Sequence, residues 1–229
     1  MEHILDNMIW NAMTTGNKHL AMVNENIGVY HADIAPFASM KKLTKENLEA
    51  LYNFIPAERS VDISYLDEIP LDENKWKMVQ QMNVSQMVYT HPVKTFTTQQ
   101  SSLIVPLTEK DIPQMLELTA LTRPGPFLQN TIQFGNYFGI FAGEKLAAMT
   151  GQRMHPTPYM EISAVCTHPH FRGKGYAKVL MLHVMEIVVN NSFIPFLHVL
   201  SDNAGAIKLY ESIGFSLRRK LHISIIKKI

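Results

Sequence analysis

The chain has 229 residues, 46% of them hydrophobic and 18% charged, with a formal net charge of +1. That is material for one large domain or two small ones with a sizeable core. The near-neutral balance, with no dense Lys/Arg stripe, argues against nucleic acid or an anionic membrane as a partner.

In chain order, the N-terminus reads His3-Ile4-Leu5-Asp6 after Met1-Glu2 and lacks the basic and apolar blocks of a signal peptide. Residues 2–14 suit a helix, and 19–23 and 27–31 suit short strands. Thr44 is a candidate N-cap for a helix carrying Leu48, Leu51 and Phe54. Residues 60–65 read as a strand, 74–82 as a helix and 84–89 as another strand. No catalytic constellation stands out in this half, which reads as a supporting unit. Its element order loosely echoes the second half, as a decayed duplication of the same fold would. A polar stretch, 91–102, follows. It places a boundary near Thr98, giving an accessory unit of 1–98 and a main domain of 99–229.

Residues 102–107 read as a strand, and Thr108 caps a helix with the apolar stripe Ile112, Met115, Leu116 and Leu118. Pro124, Gly125 and Pro126 keep the loop 122–127 from being helical. A hairpin is expected over 137–142 and 146–153, then a strand over 159–167. The helix expected at about 174–190 is apolar nearly all round; its core is interrupted by His183 and Glu186 and is too short to span a bilayer. A strand over 196–200 and a helix opened by Asn203 and stopped by Gly214 come next. With no Gly or Pro among residues 216–229, one long strand is expected there. The alternation after an antiparallel start predicts an α/β fold: a mixed sheet with helices on its faces. The single cysteine, Cys166, excludes an internal disulfide and a cysteine zinc cluster, and fits the cytoplasm. No His/Asp/Glu group has metal-ligand spacing, so no metal is expected.

The segment with chemistry is Val165-Cys166-Thr167-His168-Pro169-His170-Phe171-Arg172-Gly173-Lys174-Gly175-Tyr176-Ala177. It runs from a strand through a tight turn into a helix. Glycine lets backbone approach a ligand, and the unpaired N–H groups at the dipole-positive helix start suit a phosphate or diphosphate. A P-loop signature is absent, and the third glycine of a dinucleotide fingerprint is replaced by Lys178. One strand later comes Asn203-Ala204-Gly205-Ala206-Ile207-Lys208-Leu209-Tyr210-Glu211-Ser212-Ile213-Gly214-Phe215.

These two blocks, at this spacing, resemble the GNAT superfamily of N-acetyltransferases over about residues 102–215. The phrase from Glu161 to Pro169 is also similar to a bacterial subgroup with an extra N-terminal half. The resemblance implies the GNAT fold, with two central strands splaying into a V. It also implies acetyl-CoA as cosubstrate and direct transfer to an amine acceptor in a ternary complex. Backbone of Arg172, Gly173, Lys174, Gly175, Tyr176 and Ala177 would cradle the CoA diphosphate. Val165 and Thr167 would lie beside pantetheine, Asn203 would touch its arm, and Tyr210 would lie near the sulfur. The loop holding Arg123 and Phe127 falls where the family places its acceptor wall. A CoA-sensing protein without catalysis, a longer acyl donor and either a monomer or a dimer remain open, and the acceptor is not legible.

Acetyl transfer needs a neutral amine, a stabilised oxyanion and a protonated thiolate. Strand alternation would put Glu161 on one face with Ser163, Val165 and Thr167, making Glu161 the candidate base and a solvated strand-end glutamate the plain alternative. Backbone N–H near Val165 and Cys166 is a candidate oxyanion donor. Tyr210 is a candidate donor to the departing thiolate, against an anchoring aromatic. Cys166, expected on the face opposite Glu161, reads better as a core thiol than as an acyl-cysteine nucleophile. His168 and His170 read as solvated, His198 is a lesser base candidate, and Arg123 is a candidate for binding an acceptor carboxylate.

Overall fold

The computed structural model describes residues 3–91 and 101–229; the expected boundary near Thr98 lies outside them. A turn of 3-10 helix, Ile4–Asn7, runs into α1 (Met8–Thr14). An antiparallel three-stranded sheet follows, of β1 (Ala21–Val23), β2 (Ile27–Tyr30) and β3 (Ala38–Met40). In α2 (Lys45–Phe54), the Thr44 hydroxyl accepts from the Asn47 N–H at 3.2 Å, as an N-cap should. Leu48 and Leu51 of α2 are buried, whereas Phe54 is exposed. Two long-range strands, β4 (Ser60–Tyr65) and β5 (Trp76–Tyr89), complete this half.

The helix expected at 74–82 is absent: from Trp76 onward these residues belong to β5. Residues 77–81 are exposed on both faces, so they carry no period-two signal, and their Lys, Met and Gln suit a helix. What makes them a strand is a partner far along the chain, paired with β5 from Trp76 to Tyr89.

The second half runs β6 (Ile104–Leu107), α3 (Ile112–Thr122), β7 (Tyr137–Ala142), β8 (Lys145–Gln152) and β9 (Tyr159–Thr167). Then come α4 (Tyr176–Asn190), β10 (Ile194–Leu200), α5 (Ala204–Ser212) and β11 (Phe215–Lys228). A capping box joins Thr108 to Asp111 and starts a short 3-10 turn ahead of α3. Gly214, at φ +101°, turns the chain out of α5 into β11. As expected, β11 is a single strand.

Eight strands form one sheet in the order β4-β11-β5-β10-β9-β8-β7-β6. Among the described strands of this sheet, β9 and β10 alone pair in parallel and the other ladders are antiparallel, which is the mixed α/β sheet expected. Strands from both sides of the expected boundary therefore share hydrogen bonds, with β5 inserted between β10 and β11.

One face is covered by α4 and α5, whose Met181, Val184, Met185 and Tyr210 pack on Met87, Leu197, Val199 and Phe215. The opposite face carries α1, packed on Val84, Val88, Phe196 and Leu221, and α3, packed on Leu107, Met149 and Cys166. No helix among the described residues is long and apolar enough to cross a membrane.

Candidate active site

The site begins where two strands separate. β9 and β10 pair only from Ile194 opposite Tyr159 to Phe196 opposite Glu161. Beyond that point β10 stays with β5 as far as Leu200, and β9 stays with β8 as far as Thr167. The facing edges of β9 and β10 thus open into a V, with backbone groups free to meet a ligand.

A bulge on β9 lies in this opening. Ser163 stands opposite Gly151 and Cys166 opposite Met149, so Ala164 and Val165 share one position, and Ala164 adopts φ +53°. The extra residue reverses the alternation of side chains. Glu161 and Val165 therefore do not share a face: Val165 packs into the cluster under α4 and α5. Cys166 instead joins Ala164 against α3, on the side of Glu161, contrary to the simple alternation.

The turn before α4 holds Gly173 at φ +78° and Gly175 at φ +79°, a left-handed conformation that glycine adopts without strain. A Cβ at either would meet nothing within 4 Å, so both face open space. The turn leads into a cleft of about 620 Å³ that continues through the V. Arg172, Gly173, Gly175, Tyr176 and Ala177 line it at the turn, and Val165, Cys166, Thr167, Asn203 and Tyr210 also line it. Lys174 does not line it; its ammonium sits 5.4 Å from the Phe171 ring centroid. Asn203 also caps α5, its Oδ1 accepting from the Ala206 N–H at 3.1 Å. Arg123, in a left-handed conformation at the end of α3, reaches the cleft wall. Phe127 does not; its ring packs edge-on against Tyr137.

Burial, then the neighbouring Cys166, pushes the Tyr210 phenol up to about 12. It stays protonated across the physiological range and is a hydrogen-bond donor, not a base. Burial likewise pushes the Cys166 thiol up to about 12, which makes it a poor nucleophile. His168 is buried, contrary to expectation, with its Nδ1 accepting from the His170 N–H at 3.2 Å; His170 is exposed as expected.

Glu161 is fully buried and lies outside the cleft lining. Arg153 clamps it through two hydrogen bonds of 2.8 Å, from Nε and Nη2. The Met154 N–H adds a third at 3.3 Å and the His198 Nδ1–H a fourth at 2.7 Å. Burial alone would raise this carboxyl, but the Arg153 charge and these hydrogen bonds hold it down at about 2. A carboxylate so occupied has little basicity and no free lone pair directed at a substrate.

His198 lines the cleft, yet its ring is also committed. Gln86 Oε1 accepts from the Arg218 Nη1–H at 2.7 Å, and Gln86 Nε2 donates to the Leu5 carbonyl at 3.0 Å. Those partners fix the amide, so its second N–H faces His198 Nε2 at 3.1 Å. His198 Nε2 is then the acceptor and Nδ1 carries the proton donated to Glu161. A buried polar chain thus runs Arg153-Glu161-His198-Gln86-Arg218.

Sequence reasoning missed Arg153, Gln86 and Asp62. Asp62 lies at the far end of the cleft and is 4% exposed. The strand reading of 60–65 does put Asp62 opposite Val61 and Ile63, but that face looks like a solvent face until Met8 of α1 packs on it at Ser64. Gln86 gives no signal within a strand that carries several other polar residues, Gln80, Gln81, Asn83 and Ser85 among them.

The FR47-like protein family matches residues 137–223, from β7 into β11, and so includes the turn and Tyr210. No curated protein matches the chain. Among solved structures, a protein of Novosphingobium aromaticivorans assigned to the GNAT family superposes on 100% of both chains, with a TM-score of 0.91 and 29% identity. A GCN5-related N-acetyltransferase from Kribbella flavida covers 96% of this chain and 95% of its own, with a TM-score of 0.61 and 11% identity. A Drosophila protein covers 99% and 89%, with a TM-score of 0.64 and 13% identity. The last two share the fold alone. With the splayed strands, the glycine turn, the FR47-like match and the full-length likeness in hand, the chain has the fold of the GNAT acetyltransferases and is similar over its whole length to a protein assigned to that family.

Proposed function

We propose that this protein transfers an acetyl group from acetyl-CoA to a primary amine by direct attack in a ternary complex. The observation that carries the reading is the single cleft that links the open start of α4 to the Tyr210 side chain through the V. The diphosphate sits on the N–H groups past Arg172, where the helix dipole and the nearby Arg172, Lys174 and Lys178 favour an anion. Pantetheine lies along the free edge of β9. Val165 has no ladder partner on either side, and its N–H is the oxyanion donor.

The ammonium of the acceptor first loses a proton to water. The neutral nitrogen attacks the thioester carbon, the C–N bond forms and the C–S bond breaks. The positively charged nitrogen of the adduct supplies the proton that leaves with the sulfur, relayed by the Tyr210 hydroxyl, which ends as it began. Glu161 and His198 are positioning residues in this scheme: they hold Arg153 and the cleft floor, and neither takes a proton from the substrate. The N-terminal half, residues 1–98, acts as an accessory unit that closes the far wall of the cleft with Phe37, Asp62 and Val84.

Calorimetry with coenzyme A, followed by thiol release from acetyl-CoA across a panel of primary amines, tests the proposal. Saturable binding and amine-dependent thiol release are expected. Binding without release on any amine would leave a CoA sensor, and no binding would remove the reading altogether.

A further inference from the structure

The far end of the cleft holds a charge that the transfer chemistry does not use. Asp62 lines the cavity but is only 4% exposed, and its carboxylate has no hydrogen-bond or ion-pair partner among the described residues. Burying an ionisable group without a partner is costly, and such groups are kept where a ligand completes them. Burial pushes this carboxyl up to about 6, against the opposing pull of Arg153, so it is largely ionised near pH 7.

The surroundings select the sign of the ligand. Among the described residues, Arg153 is the cation that acts on Asp62, and its Nε and Nη2 are hydrogen-bonded to Glu161. Its remaining nitrogen, Nη1, is turned to the Gly125 loop, 3.8 Å from where a Cβ on Gly125 would lie. The Arg153–Glu161 pair is neutral as a unit. Asp62 is therefore the uncompensated charge at this end, walled by Phe37, Val84 and Ile223. An anion is repelled there, and a neutral group forfeits the ion pair. A cation on a hydrocarbon stem is complementary on both counts.

The subsite is also remote from the transfer centre. In the sheet order, β11 and β5 stand between the strand of Asp62 and β10. At about 4.8 Å per strand, that is a path of roughly 14 Å along the sheet, shortened by its curl. The nitrogen that seats on Asp62 is thus not the nitrogen that meets the thioester.

We infer that the acceptor carries a second cationic nitrogen, several carbons from the one acetylated, and that Asp62 is the specificity-determining residue that binds it. The inference rests on the acetyltransferase reading and adds the acceptor class: a flexible diamine or an amine with a terminal cation.

The test compares 1,5-diaminopentane with n-pentylamine, which differ by the second charge, in wild type and Asp62→Asn. Wild type is expected to favour the diamine at least tenfold in kcat/KM. Asp62→Asn should erase that preference, chiefly by raising KM for the diamine to the level of n-pentylamine. Equal use of both amines by wild type, or a preference that survives Asp62→Asn, overturns the inference. Where neither amine turns over, calorimetry of the diamine on the CoA-loaded protein replaces kinetics, and binding that is absent or indifferent to Asp62→Asn overturns it equally. Coenzyme A titrations on both proteins keep the two readings apart. Loss of CoA binding by wild type sinks the acetyltransferase reading, whereas intact CoA binding without diamine preference sinks the subsite alone.

Discussion

Tyr210 and Asp62 sit in the same cleft with opposite consequences. The buried phenol keeps its proton, and its loss should be felt only as sulfur departs. Tyr210→Phe is expected to lower kcat by about a hundredfold or more, with CoA affinity unchanged by calorimetry. Unchanged turnover would take Tyr210 out of the mechanism. Asp62 instead weakens the fold. Its carboxyl holds a proton up to about pH 6 in the native state but only to 3.8 when unfolded. Between those values the native state binds more protons, so stability falls as pH rises through that window. Asp62→Asn should thus raise stability at pH 8 by about 1–3 kcal/mol, at 1.36 kcal/mol per pKa unit, and the gain should vanish below pH 4. Denaturant melts at the two pH values measure this, with Arg153 as the charged group that faces Asp62 in both proteins. An equal gain at both values would mean that ionisation is not its source.

Among elements, the glycine turn and α4 form the part most legible from sequence. Glycines at 173 and 175 marked a tight turn with room for a ligand, and both adopt positive φ there. Gly175→Val forces a β-branched side chain to φ +79°, at a cost of about 1–2 kcal/mol. Its methyl groups would also occupy the space offered to the diphosphate. Calorimetry should show CoA affinity reduced by tenfold or more, beyond the loss of melting temperature that strain alone brings; unaltered affinity would place the diphosphate elsewhere. The β9 bulge was not legible, because Ala164 is no glycine and nothing in Glu161-Ile162-Ser163-Ala164-Val165 signals an inserted residue. That single residue explains why alternation misplaced Cys166. The start of β5 was misread for another reason: its exposed residues are good helix formers, and only β11 makes them a strand. Glu161 was singled out as the candidate base or else a solvated strand-end glutamate, and its burial was not legible, because its clamp, Arg153, lies eight positions away beyond a loop and had no visible link to it.

For the whole molecule, β5 is the feature that joins the two halves. It is hydrogen-bonded to β10 on one edge and β11 on the other. A fragment of residues 99–229 would keep the glycine turn and Tyr210 but leave a vacant slot through the middle of its sheet. It is expected to be aggregated or only partly folded by circular dichroism and size exclusion, since bare edges recruit other strands. A monomeric fragment that melts cooperatively would show that the second half is self-sufficient. The same slot shapes the birth of the protein. Gln86 and its partner His198 are 112 positions apart, so β5 leaves the ribosome long before either neighbour exists. Its last six residues, 84–89, all buried in the finished sheet, must wait, unsheltered, while most of the second half is translated. Overproduction that outpaces chaperone capacity should accordingly trap nascent chains through this one segment.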